Sequence, residues 1–474
     1  MPKDTHTKIL ATIGPSSASK DQLAALIDAG ADAFRINFSH GTHAEHKARI
    51  KLIRQLEQEK GCFISILADL QGPKLRVGTF KEDKVLLKEG QTFTLDLNPE
   101  AGDNTRVCLP HKEIFAALKP GDNLLVNDGY IVLNVKKCDN NHAETKVKVG
   151  GYISSHKGVN LPNTQLNISA ITTKDREDLK FALKMGVDWI GLSFVQKAQD
   201  VQELKKLVAG KAWIVSKLEK PSAIDDLDAI IQESDAIMVA RGDLGVECPI
   251  QNVPVLQKRI VAACRKYARP VIIATQMLES MINNPTPTRA EVSDVATAVY
   301  DGADTIMLSA ETAAGKYPIE AVKMMHKIVS EVEKDPLFFE LMQASRRHPC
   351  NSGEADSITF AASELSCILR DVKAIVSYTT SGLTTFLTAR ERPYLPILAL
   401  TPDIKVARRL VLVWGVRPFI NKRSFKSFNV VEDAAIEVAL KNKYVKSGDH
   451  LIITAGFPLN VKGKTNMLHT VCIP

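Results

Sequence analysis

Short apolar runs alternate with amphipathic segments along much of the chain, as in parallel strands covered on both faces. The runs occupy residues 8–14, 33–38 and 63–69 and then, after a long gap, 189–194, 213–219, 236–241, 271–276 and 305–311. Apart from the gap, successive runs begin about 25 to 35 residues apart, the length of one strand–loop–helix–loop unit. Intervening segments such as 21–29 and 198–208 carry apolar residues at helical spacing. Eight such units predict a closed (β/α)8 barrel of the TIM type, with a doubly wound open α/β sheet as the alternative.

Several runs turn polar at their carboxyl ends: Thr12, Arg35 and Asn37, Asp69, Ser193, Lys217 and Glu219, Asp243, Thr275 and Gln276, Ser309 and Glu311. A closed barrel gathers all these ends on one face, where active sites are built. One polar residue there is an ordinary loop contact. A ring of Arg, Lys and carboxylates must compensate itself or bind something.

The gap, residues 70–169, has another texture. Turn signals recur closely, among them Asn127-Asp128-Gly129 and Pro120-Gly121-Asp122, with short β-rich pieces at 85–87 and 123–126 between them. This predicts a small inserted β-barrel, whose place after the third strand suggests a lid beside the site, with a merely decorative domain as the alternative. A polar linker is expected at 343–354, and strands near 374–377, 397–400 and 451–454 predict a further α/β unit. The expected division is 1–69 with 170–340 for the barrel, 70–169 for the lid and 341–474 for the last domain.

Composition adds exclusions. With 474 residues the chain exceeds a single core, and 45% hydrophobic with 24% charged residues is ordinary for a soluble protein. The net charge of +7 is scattered, so nucleic acid is not an expected partner. No apolar run approaches the roughly 20 residues of a membrane span, and the start of the chain, residues 1–8, is too polar for a secretory signal. The eight cysteines and eleven histidines show no metal-cage spacing, which reads as reduced thiols in a cytoplasmic protein.

Lys217 and Glu219 lie two apart and so project from one face of a strand, with Asp243 ending the next run. An isolated Lys-x-Glu is ordinarily an ion pair. A second carboxylate from the adjacent strand suits an oxygen-loving divalent cation with positions left for substrate. Gly242 allows close backbone approach at the start of a predicted helix, where free N–H groups attract anions.

Six segments occur in order: RINFSHG at 35–41, SKLE at 216–219, MVARGDLGVE at 238–247, ATQMLESM at 274–281, PTRAE at 287–291 and MLSAET at 307–312. Together they resemble the pyruvate kinase family, across essentially the whole chain. The resemblance implies phosphoryl transfer from phosphoenolpyruvate to ADP, giving pyruvate and ATP. It implies Mg2+ (Mn2+ as an alternative) on Glu219 and Asp243, with Lys217 as electrophile and Arg35 at the transferring phosphate. It further implies that Gly242 and Asp243 hold the substrate carboxylate and that Thr275 stands near the carbon that takes a proton; simple strand-end hydrogen bonding is the other reading of Thr275. Thr12, Asn37, His40, Arg76 and Lys157 match positions near the nucleotide. Many family members hold K+ on oxygens matching Asn37, Ser39 and Asp69. Their pattern carries a Glu where this chain has Lys74, so the Lys74 ammonium, attracted to Asp69, is expected to replace K+. Thr379, Ser381 and Thr384 match a loop that binds a phosphorylated effector in regulated members; plain helix capping is the other reading. A homotetramer is implied by family alone. An aldol lyase on the same barrel, or a catalytically dead sensor, are the competing functions; the second should lack one of Lys217, Glu219, Asp243 or Thr275, and none is missing.

Overall fold

The computed structural model describes residues 5–162, 168–345, 353–423, 427–459 and 464–474. Eight parallel strands close into a barrel: β1 (Lys8–Ile13), β2 (Ala33–Asn37), β3 (Ser65–Asp69), β4 (Trp189–Leu192), β5 (Trp213–Leu218), β6 (Ala236–Ala240), β7 (Val271–Ala274) and β8 (Thr305–Leu308). Each pairs with its neighbours in sequence, and β1 pairs with β8 to complete the circle. The open-sheet alternative is thereby excluded.

Strand parity divides the buried residues. Ile9, Ala11 and Ile13 of β1 pack outward into the core shared with the helices, while Leu10 faces the barrel axis with Ala33, Leu67, Trp189, Val215, Ala236, Met238, Ile272, Ala274 and Met307. Because the side-chain period is two, the same inward rows continue upward to Thr12, Arg35, Asp69, Ser193 and Lys217. One alternation therefore fills the lower barrel with apolar groups and arms its mouth with polar ones. Most expected runs prove longer than the strands, because their polar ends leave the sheet as loops.

The insertion contributes a six-stranded sheet and a two-stranded one, Lys84–Leu87 with Gly151–Ser154, around their own apolar core. The Asn127-Asp128-Gly129 turn follows strand Asn123–Val126, with all three residues at positive φ. The last unit is a five-stranded sheet ordered β11 (Val416–Ile420), β10 (Ile397–Thr401), β9 (Val372–Tyr378), β12 (His450–Ala455) and β13 (Met467–Cys472), with β13 antiparallel. Strands β11 and β13 had no counterpart in the sequence reading. Of the expected linker, residues 346–352 lie outside the described residues, as do 1–4 of the polar start; Gln343 belongs to helix Pro336–Ala344 and Glu354 opens helix Glu354–Ile368. No helix among the described residues is long and apolar enough to cross a membrane.

The last unit closes the bottom of the barrel. Leu412 joins the inner barrel core, and its carbonyl accepts from the Thr305 hydroxyl at 2.8 Å. Beside it, Arg392 grips Asp304 with two nitrogens at 3.0 and 2.9 Å and lies over the Trp414 ring, all three buried. Asp304 also accepts from the Val271 and Trp414 amides. Removing the guanidinium would strand a buried carboxylate, a loss of about 3–5 kcal/mol. Arg392→Ala is therefore expected to lower the thermal unfolding midpoint markedly, read by calorimetry; an unchanged midpoint would refute the assigned role of this pair.

Candidate active site

Register brings Asp69 beside Asn37 on one side and Gly191 on the other. A Cβ at position 191 would stand 2.8 Å from Asp69 Oδ1, so glycine there makes room for the carboxylate. Arg35 Nε donates to Asp69 Oδ2 at 2.6 Å, and Lys217 Nζ lies 3.3 Å from Oδ1. Lys217 also meets Glu219 Oε1 at 2.9 Å and donates to the Ser193 hydroxyl at 2.8 Å, which in turn donates to Leu70 O. Glu219 Oε2 accepts the Phe194 amide at 2.7 Å. Asp69 and Glu219 are each 1% exposed and Lys217 9%, so water screens this cluster little.

Each charge is shaped by its neighbours. Burial opposes the Lys217 ammonium, but Asp69 and Glu219 outweigh it and the pKa is pushed up to about 12. Burial likewise raises the Asp69 carboxyl, and Lys217 with Arg35 reverses that and holds it below the usual range. Glu219 stays raised: burial leads, Lys217 opposes, and the Asp243 charge pushes further in the same direction. Glu219 and Asp243 therefore sense each other as like charges.

Asp243 is one-third exposed and opens into a cleft lined by Lys74, Gly158, Asn160, Phe194, Lys220 and Glu247. Among the described residues no three acidic, His or Cys groups form a metal cage; what links Glu219 to Asp243 is the like charge that Asp243 presents to it. A pair of oxygen donors, one of them disfavoured as a bare anion by burial and by the other, fits a hard divalent cation that takes its remaining ligands from substrate and water.

The turn after β7 is strained. Thr275 and Gln276 have φ of 71° and 54°, costing on the order of 1–3 kcal/mol each for non-glycine residues. Buried Arg241 holds it, donating to the Thr275 carbonyl at 2.8 Å and the Gln276 carbonyl at 3.3 Å while pairing with Asp294 at 2.6 Å. The Thr275 hydroxyl donates to Ala274 O at 2.6 Å and accepts the Gly242 amide at 2.8 Å. The Gly242 N–H expected to meet substrate thus has a protein partner, and Thr275 keeps one lone pair.

Around this centre the other candidates fall as follows. Thr12 accepts from Arg35 Nη1 at 3.2 Å and donates to Leu308 O. Asn37 accepts the Ser39 amide through Oδ1, and His40 is exposed beyond it. Arg76 Nη1 donates to His156 O, beside the half-buried Lys157. Lys74 requires a correction: its ion-pair neighbour is Asp243, at 4.0 Å, and not Asp69, whose oxygens face Arg35 and Lys217. Glu311, expected in the polar ring, is spent on backbone, accepting the Leu278 and Ser309 amides. Thr379 accepts the Gly382 amide and Thr384 bonds Thr465, both buried, with Ser381 between them half-buried. The sequence offers Ser193, which positions Lys217, only as one of the polar strand ends, and Arg241, which positions Thr275, only as part of the 238–247 segment.

A barrel whose mouth holds a locked ammonium, an arginine and paired carboxylates defines an enzyme acting on small anionic substrates. The model described as pyruvate kinase, barrel domain, matches residues 4–322, and that described as pyruvate kinase, alpha/beta domain, matches 356–471. A pyruvate kinase of Methylorubrum extorquens is 48% identical over 468 residues, 99% of this chain and 97% of that one. One from Agrobacterium vitis is 46% identical over 469 residues, at 99% and 97% coverage. A crystal structure of a pyruvate kinase from Cryptosporidium parvum superposes with TM-score 0.92 at 33% identity, covering 99% of this chain and 96% of that one. The chain belongs to the pyruvate kinase family. It is a glycolytic phosphotransferase working between phosphoenolpyruvate and ADP.

Asp69→Asn would leave Lys217 facing Arg35 with one anion fewer. The expected outcome is a fall of about 10- to 100-fold in kcat/KM. Losing an anion also lowers the Lys217 pKa, so the alkaline limb of the pH–rate profile should move to lower pH. A profile superimposable on the parent's would contradict this.

Proposed function

We propose that catalysis rests on the Lys217 ammonium as a fixed positive charge. The observation that carries this is its burial between Asp69 and Glu219, which holds its proton far above working pH and leaves it no role as a proton donor. As the bond from phosphorus to the enolate oxygen of phosphoenolpyruvate breaks and the terminal oxygen of ADP takes the phosphoryl group, charge spreads over the equatorial and leaving oxygens. Lys217 and Arg35 are preorganised to meet that charge. Glu219 and Asp243 would hold Mg2+, with Mn2+ as substitute, and the cation would supply further positive charge to the transfer. Thr275 offers its lone pair to the water through which the enolate carbon gains its proton. The turn of Gly242 and Asp243, with the Gly242 N–H itself taken by Thr275, would face the substrate carboxylate, and Thr12, Asn37, His40, Arg76 and Lys157 would flank the nucleotide beneath the inserted lid. Lys217→Met is expected to remain folded, by circular dichroism, and to lose more than about 100-fold in kcat. Near-normal turnover would remove this mechanism.

Independence of K+ belongs to the same reading. Lys74 brings a monovalent positive charge to within 4.0 Å of Asp243. Its role is thus supported by proximity to Asp243, in place of the attraction to Asp69 that the sequence suggested. Steady-state rates should be equal in K+ and in a bulky quaternary ammonium salt, and Lys74→Glu should create a requirement for K+. Steep K+ activation of the unaltered enzyme would overturn the idea. Family membership alone supports a cytoplasmic tetramer and a phosphorylated effector at the 379–384 loop, properties that light scattering and sugar-phosphate titration read directly.

A further inference from the structure

Just outside the paired carboxylates, three side chains tie the inserted module to the barrel. Asn160 Nδ2 donates to Glu247 Oε1 at 2.8 Å, and Lys220 Nζ donates to the same oxygen at 3.1 Å. Asn160 belongs to the short strand Val159–Asn160, paired with Asn123–Val126 inside the insertion. Lys220 directly follows Glu219. Glu247 ends the helix Arg241–Glu247, four residues beyond Asp243 and so on the same helical face. Each barrel partner thus adjoins one of the two carboxylates assigned to the divalent cation.

Glu247 is 2% exposed, and its Oε2 has no hydrogen-bond partner among the described residues. A buried carboxylate with half its acceptors unmet depends strongly on the donors it retains. The Asn160 amide is one of these two, and it comes from a different folding unit. The Lys74–Asp243 contact across the same cleft is long, at 4.0 Å. Upstream of Asn160 the segment is stiffened within its own module, by a bridge between Arg76 and Gly158 and by the Val77 amide donating to Lys157 O. Lys157 and Asn160 therefore move together.

We propose that Asn160 and Glu247 form a latch, two positioning residues that seat the inserted module over the barrel and so hold Lys157 in register with Asp243 for ADP. This rests on reading the insertion as a lid and 157 as a nucleotide residue. A latch sets the fraction of molecules with the lid seated, and the apparent affinity for ADP scales with that fraction.

The bond can be reversed without changing net charge. Asn160→Asp places two carboxylates in contact and is expected to raise KM for ADP by about 10-fold or more, with kcat changed much less. Adding Glu247→Gln lets the new Gln amide donate to the Asp and should return KM to within about threefold of the parent. If Asn160→Asp does not fold, Asn160→Ala, which deletes the donor without adding charge, must show the same rise. A KM within about twofold of the parent for the single variant, or a double variant as impaired as the single, overturns the latch. Lys157→Met measured alongside tests the lid reading separately: an unchanged KM for ADP would remove Lys157 from the nucleotide site, while recovery in the swapped pair would still establish the latch.

Discussion

The Asp69 carboxylate, enclosed between Arg35 and Lys217 at the mouth of the barrel, permits two cations to be stored side by side away from water. Without it, the guanidinium from β2 and the ammonium from β5 would repel at short range in a poorly screened interior. With it, each cation has an anionic partner before any substrate arrives. Gly191 supplies the space, and the Ser193 hydroxyl fixes the approach of Lys217. Preorganisation of this kind spares the site from reorienting dipoles at the moment of reaction.

Electrostatics and strain are divided between the two halves of the mouth. On the side of β2, β3 and β5, opposite charges compensate. On the side of β6 and β7, two residues in the left-handed region are pinned by Arg241, whose Nη2 donates to both of their carbonyls. Asp243, on the same side, is left one-third exposed to the cleft.

Much of this was legible in the chain. The polar carboxyl ends of the runs, gathered on one face by a closed barrel, place Thr12, Arg35, Asp69 and Lys217 together. What the position of a strand end does not encode is distance between units. The neighbour of Lys74 depends on how the insertion sits over the barrel, a relation with no local pattern, and the sequence reading chose Asp69 where the structure has Asp243. The Thr379 and Thr384 hydroxyls looked available because their partners, the Gly382 amide and Thr465, are set by folding of the loop. Strand β11 escaped notice because Arg417 and Pro418 interrupt its apolar pattern, and such residues are tolerated where it lies, at a sheet edge. Glu311 misled in the opposite sense: a carboxylate at a strand end can serve its own backbone.

Leu412 has a consequence for how the chain is made. All eight strands of the barrel precede it, and the last of them ends at Leu308. During synthesis the cylinder's staves leave the ribosome before the stopper for its base has been translated. Until then the lower apolar layer, with Leu10, Ala33 and Met307, lacks the residue that seals it in the finished molecule. The nascent barrel thus passes through an unplugged stage that ends only when the C-terminal unit has been built.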